Sequence, residues 1–171
     1  LNSSIKGGIG TSSIFLGNEL VVGAIVAVNA IGSIHDPHSG ELIAGARNQN
    51  NEMISANQAL MEMGYENKSD LGSNTTIGVI ATNAKLSKTE INHIASISHD
   101  GIALAVRPAH MLGDGDTMFA LATDQTEDFD LDQLIATAVE ATSMAVVNAV
   151  KTAKSLGEIP SLDEHALGGL P

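Results

Sequence analysis

The chain has 171 residues, 43% of them hydrophobic, which suffices for one domain with a continuous core and is too little for two large ones. Twenty acidic against eight basic residues give a formal net charge of -12 and leave no basic patch, which argues against nucleic acid and anionic membrane surfaces as partners. Aromatic residues at 2%, no tryptophan and no cysteine exclude base-stacking platforms, disulfides, thiolate metal sites and a cysteine nucleophile, and they fit a reducing, cytoplasmic setting.

Residues 5–10 form a glycine-rich segment, and 11–16 read as a strand with Gly17-Asn18 at a hairpin turn. The nearly all-apolar run 21–28 predicts a strand buried on both faces; the wider run 20–31 is too short to span a bilayer. A turn over 35–40, containing Pro37, precedes a short strand over 41–46. Apolar spacing predicts a helix over 51–63 that Gly64 terminates, followed by a polar loop over 66–74. Beta-branched content predicts a strand over 76–82. Ser87-Lys88-Thr89-Glu90 is a capping box, opening a helix over 88–106 with Gly101 as its weak point and Pro108 as its stop. A strand over 117–123 follows. Asp130, with Gln133 three residues on, opens a long amphipathic helix that Gly157 and Pro160 close. Strands first, then strands and helices interleaved, predict an α+β layered fold.

The loop ending in Ser73-Asn74-Thr75-Thr76 admits two readings. Asn, Gly and Thr are ordinary at a loop-to-strand junction. The same residues also suit self-cleavage between Asn74 and Thr75, after which Thr75 holds a hydroxyl nucleophile and an α-amine that can accept its proton. Asn29, inside the apolar strand, is expected to be buried and hydrogen-bonded, either bracing a loop or donating to an oxyanion. Asp114-Gly115-Asp116 is either a tight turn or, if extended, a pair of carboxylates on one side that can orient an ammonium group.

Other constellations carry less. His35-Asp36-Pro37-His38 reads as a solvated turn rather than a metal site, and His110 is the nearest metal candidate to the Asp114-Asp116 pair, without convincing spacing. The acidic stretch 124–132 lacks the glycine and terminal glutamate of an EF-hand loop. Lys6-Gly7-Gly8-Ile9-Gly10 matches neither phosphate-binding nor dinucleotide fingerprints, so no cofactor is expected. His99-Asp100 lacks a nucleophile-elbow serine partner.

Taken in order, Lys6 to Thr11, Val26-Ala27-Val28-Asn29-Ala30-Ile31-Gly32, Gly72-Ser73-Asn74-Thr75-Thr76-Ile77, Ala81-Thr82-Asn83, His99-Asp100-Gly101, Arg107-Pro108-Ala109-His110 and Asp114-Gly115-Asp116-Thr117-Met118-Phe119-Ala120 cover nearly the whole chain. This series resembles the L-aminopeptidase/D-esterase family of N-terminal-nucleophile hydrolases, closest to its nylon-oligomer (6-aminohexanoate oligomer) hydrolase branch. The resemblance implies a helix-sheet-sheet-helix sandwich, of which this chain forms part, and a single precursor that splits autocatalytically into two subunits. Thr75 matches the nucleophile, Asn74 the residue before the cut, Asn29 the asparagine lining the oxyanion pocket, and Asp114 and Asp116 the pair that positions the nucleophile and its amine.

The resemblance further implies that 1–74 end the alpha subunit and 75–171 form the beta subunit, together the C-terminal portion of a larger precursor. The catalytic lysine and aspartate that the nylon-hydrolase branch takes from upstream have no match here, and Lys6 is not promoted to that lysine. The expected partners are a small peptide or amino-acid amide as substrate, the precursor's own upstream segment, and further copies of the chain in a homo-oligomer. Two alternatives stand beside hydrolysis: acyl transfer to an amine, as in ornithine acetyltransferases of the same fold, and an uncut binding or assembly protein.

Overall fold

Apolar residues recurring at every second position between 22 and 28 decide where the core lies. The computed structural model describes residues 4–17, 19–63 and 74–166. Its elements are β1 (Ile9–Phe15), β2 (Val21–Asn29), β3 (Ser33–His35), β4 (Leu42–Ala44), β5 (Ala46–Arg47), β6 (Met53–Ile54), α1 (Ala56–Met63), β7 (Thr75–Ala84), α2 (Lys88–Ala105), β8 (Val106–Arg107), β9 (Thr117–Thr126), α3 (Leu131–Lys151) and α4 (Leu162–Ala166). Four strands form the main sheet in the order β1-β2-β7-β9. β2 is antiparallel to both β1 and β7, and β9 runs parallel to β7, with α2 in the connection between them. Strands β4, β3 and β8 make a smaller sheet, and β5 pairs with β6.

One face of the main sheet is the core. Val22, Ala24, Val26 and Val28 of β2, Ile80 and Ala84 of β7 and Met118 of β9 are buried together with Ile94, Ile102 and Ala105 of α2 and Leu134, Ala138, Ala141, Ala145, Val146 and Ala149 of α3. Each Val, Ile or Leu fully buried in this way contributes about 1.5–3 kcal/mol. Helix α3 covers β1 and β2, α2 covers β9 and part of β7, and the two helices pack on each other. By length and apolarity α3 could cross a bilayer, yet 61% of its most apolar stretch is buried within the protein, as befits a core helix.

The opposite face is open, contrary to the expectation that 21–28 are buried on both sides. Strand β2 alternates buried and uncovered residues, and the uncovered set ends in Asn29, which is exposed rather than buried. Ile9, Phe15, Ile25, Ile77, Phe119 and Leu121 are all exposed, Phe15 at 77% and Phe119 at 54%. The described residues thus supply one helix layer and one sheet layer of the expected sandwich.

The helix starts follow local hydrogen bonding. Ser87 Oγ accepts from the Glu90 N–H at 3.3 Å, and Glu90 Oε2 accepts from the Ser87 N–H at 2.7 Å, so the capping box forms as read. Asp130 Oδ1 accepts from the Gln133 N–H at 2.8 Å, opening α3. That helix closes at Thr152, and Gly157, with φ of 60°, serves the turn beyond it. The helix expected over 51–63 starts only at Ala56, because Met53 and Ile54 pair with β5 and Ser55 Oγ accepts from the Gln58 N–H at 3.1 Å. Gly64 and the loop 66–73 lie outside the described residues.

Gly101 is no weak point. Helix α2 runs unbroken from Lys88 to Ala105, and a Cβ at Gly101 would lie 2.5 Å from the Val139 carbonyl oxygen and 2.6 Å from Thr142 Cβ. The missing side chain is what lets α2 reach α3. Gly101→Ala is therefore expected to destabilise the fold by about 1–3 kcal/mol, against the alanine's better helix propensity. Urea unfolding should show a lower midpoint at unchanged slope; an unchanged or higher midpoint would contradict this helix contact.

Candidate active site

Strand β7 opens at Thr75, and its alternation sorts the first two threonines. Thr76 is buried under the helices, while Thr75 lies on the open face. In the β2/β7 register Asn29 is directly opposite Thr75. Directly opposed residues on one face hold their Cβ atoms about 4.5–5.5 Å apart, so Asn29 and Thr75 form a cross-strand pair at the sheet's end.

The other side of Thr75 is closed by the turn before β9. Asn74 makes a parallel bridge with Asp114. The Gly115 N–H donates to the Asn74 carbonyl oxygen at 3.0 Å, and Thr75 Oγ1 donates to the same oxygen at 2.7 Å. A Cβ on Gly115 would sit 2.7 Å from Thr75 Oγ1, so only glycine leaves the hydroxyl its place. The carbonyl of the Asn74-Thr75 bond therefore receives two donors, one from the chain's own next residue.

The two carboxylates have separate tasks. Asp114 closes its own turn: its Oδ2 accepts from the Met111 N–H at 2.9 Å, and its N–H donates to the Met111 carbonyl at 2.9 Å. Its Oδ1 is buried and has no hydrogen-bond partner among the described residues. Asp116 reaches across to β7, its Oδ1 accepting from the Thr76 N–H at 2.8 Å. Its Oδ2 lies 3.0 Å from His110 Nδ1, and its side chain is only 7% exposed. The turn reading of Asp114-Gly115-Asp116 thus describes the backbone, and the two carboxylates go to different partners.

Asn29, Asn74, Thr75, Asp114 and Asp116 converge at one end of the sheet, from residues far apart in sequence. Two participants were not foreseen: the Gly115 N–H, which residue type cannot reveal, and His110, considered only as a metal ligand. The Arg107-Pro108-Ala109-His110 motif was the available signal. His35 ends β3 and His38 lies in the turn after it, where the Ser39 and His38 N–H groups donate to Asp36 and hold its carboxyl below the usual range. No group of three or more His, Cys, Asp or Glu side chains suited to a metal occurs among the described residues. Lys6 Nζ donates to the neighbouring Gly7 carbonyl at 2.7 Å.

Polar groups thus gather at one end of a helix-covered sheet, where strand β7 begins on a threonine. The fold is similar to that of L-aminopeptidase D-Ala-esterase/amidase from Ochrobactrum anthropi, described as a variant of the Ntn hydrolase fold, with a TM-score of 0.64 at 21% identity over 97% of this chain and 47% of that one. The chain belongs to peptidase family S58, whose family model matches residues 2–160. It is 42% identical over 131 residues to an uncharacterized aminopeptidase of Mycobacterium leprae (strain TN), a match covering 72% of this chain and 34% of that protein. It is also 41% identical over 54 residues to the 6-aminohexanoate-oligomer endohydrolase of Kocuria sp. (strain KY2), covering 32% of this chain and 15% of that enzyme. The chain spans about a third of the length of the mycobacterial relatives it matches.

His99 reports on the electrostatics beside the site. Burial holds its imidazole below the ordinary value, the neighbouring His110 acts in the same direction, and Asp116 and Asp100 oppose them. The two rings stand 5.1 Å apart. The unfolded chain therefore takes up this proton more readily than the folded one, so the His99 contribution to stability is present above the ordinary imidazole range and lost as pH falls from there through the lower folded value. In an NMR titration His99 should titrate below about 6.5, and His110→Asn should move it upward by removing the neighbouring imidazole that lowers it. A midpoint that stays put in the variant would show that His110 does not act on His99.

Proposed function

We propose that this chain carries the nucleophile and the cleavage site of a self-processing amidohydrolase or aminopeptidase, with Thr75 as the N-terminal nucleophile. The observation that carries this reading is the pair of contacts on the Asn74 carbonyl oxygen, from Thr75 Oγ1 at 2.7 Å and the Gly115 N–H at 3.0 Å. A carbonyl polarised by a fixed backbone donor, with a hydroxyl beside it, is prepared for addition. In processing, Thr75 Oγ1 turns from the carbonyl oxygen to its carbon and adds. The hydroxyl proton passes to the Thr75 nitrogen, the C–N bond breaks, and residue 74 is left as an ester on Thr75 Oγ1. Water hydrolyses that ester, leaving a carboxylate on Asn74 and a free α-amine on Thr75.

An α-amine has a pKa near about 8 and so can accept the hydroxyl proton at neutral pH. In turnover the Thr75 hydroxyl adds to a substrate amide while the amine takes its proton and passes it to the leaving amine. An acyl-Thr75 ester remains, which water resolves. Asn29, opposite Thr75, serves as the side-chain donor to the oxyanion, and Asp114 and Asp116 hold the nucleophile and its amine. The relatives named as an aminopeptidase and as a 6-aminohexanoate-oligomer endohydrolase support short amides of small peptides or amino-acid oligomers as the substrate class.

In this reading residues 1–74 end one subunit and residues 75–171 form the other, both from the C-terminal portion of a larger precursor. The greater length of the relatives supports this, as does the open face carrying Ile9, Ile25, Ile77 and Phe119. That face is where an upstream segment would pack, since a contiguous apolar surface of this kind marks an interaction site.

Intact-mass measurement on the full gene product should resolve two pieces parting between residues 74 and 75, with Thr75→Ala remaining whole and Thr75→Ser still dividing. A wild-type chain that stays whole after prolonged incubation would end the proposal. Gly115→Ala, whose new methyl group meets Thr75 Oγ1, should slow the division by about a hundredfold, as misplacing a reacting atom by about an ångström does. Division at the wild-type rate would remove Gly115 from the account.

A further inference from the structure

We propose that His110 is a positioning residue that acts through Asp116 to hold the Thr75-Thr76 peptide in place. The starting point is the burial of Asp116. A carboxylate whose side chain is 7% exposed has lost most of its water and needs a partner for each oxygen. One oxygen takes the Thr76 N–H at 2.8 Å; the other faces His110 Nδ1 at 3.0 Å. An ionised carboxylate has no proton to give, so Nδ1 carries the hydrogen of this contact. Without it, Asp116 is free to rotate toward water and release the Thr76 N–H, which is the backbone group that follows the nucleophile.

The backbone gives a second, independent sign. His110 sits at φ of 57°, in the left-handed region that only a few per cent of non-glycine residues adopt, His, Asn and Asp among the more tolerant. The turn carries this strain at the residue whose ring meets Asp116, and strain retained at one residue points to a role for its side chain. On the ring's far side, Nε2 lies 3.4 Å from the His99 carbonyl oxygen, so helix α2 backs the imidazole against the carboxylate. None of these contacts touches the bond to be cut, which is why His110 positions rather than reacts.

The inference rests on the self-processing reading for its consequence and not for its geometry, so the test separates them. Two substitutions suit the left-handed backbone: His110→Gly, which removes the donor, and His110→Asn, whose side-chain amide nitrogen, like Nδ1, is attached to Cγ. On the uncleavable Thr75→Ala chain, hydrogen exchange at the Thr76 amide should be about tenfold or more faster in His110→Gly, as loss of a charge-assisted hydrogen bond predicts, and His110→Asn should restore most of the protection. On the cleavable chain, division at 74–75 should follow the same order. Equal exchange in His110→Gly and the histidine chain overturns the proposal, as does an asparagine variant no better than glycine. If the exchange pattern appears while the wild type never divides, the positioning role holds and it is the processing reading that fails.

Discussion

The register of β7 is the constraint on which the site depends. Side chains alternate across a strand, so a slip of one residue would bury Thr75 under the helices and turn Thr76 out in its place. Two sets of contacts prevent this. Thr76, Ile80 and Ala84 fill the space beneath α2 and α3. At the far end of the strand Asn83 Oδ1 accepts from the Val21 N–H at 2.9 Å, its Nδ2 donates to the Glu19 carbonyl at 2.8 Å, and Thr82 Oγ1 donates to the Val21 carbonyl at 2.9 Å. With β2 and β7 fixed there, Asn29 can face no residue of β7 other than Thr75.

The turn at 111–116 completes what the register begins. It is closed on itself by the reciprocal Met111-Asp114 hydrogen bonds, so it approaches β7 as a preformed unit. Its two attachments, Gly115 N–H to Asn74 and Asp116 to Thr76 N–H, straddle Thr75. Parallel pairing of β9 with β7 continues from there, Ile77 opposite Thr117 and Val79 opposite Phe119. The site thus stands at the end of a ladder whose covered face is rigidly packed and whose other face, with Thr75 at its rim, is apolar and uncovered.

Much of this was legible because it is local. The Ser87-Glu90 capping box, the Asp130 cap and the strand beginning near Thr76 each depend on a few consecutive residues whose chemistry has one good solution. What could not be read depends on what lies opposite. An apolar run such as 21–28 cannot say whether its second face is covered, so the exposure of Asn29 was missed. Gly101 looks the same in sequence whether it loosens a helix or lets another approach. Asn74, Thr75, Asn29, Asp114 and Asp116 are singled out only by an ordered resemblance; composition at each position suggests turns and propensities. His110 escaped because its part is played through Asp116, a partner that spacing alone did not identify.

On the processing reading, cutting the chain changes the electrostatic problem at this end of the sheet. Before the cut, Thr75 offers an amide, and Asp114 Oδ1 remains buried with no partner among the described residues, an arrangement that costs about 1–3 kcal/mol. On that reading the cut leaves a free α-amine on the residue that follows Asn74, whose backbone bridges Asp114. The same carboxylates then favour the charged amine, whereas a general base must be neutral. On that reading the two carboxylates enter the cut differently: Asp116 has both oxygens already occupied, by the Thr76 N–H and His110, whereas Asp114 has one oxygen on the Met111 N–H and the other with no partner among the described residues.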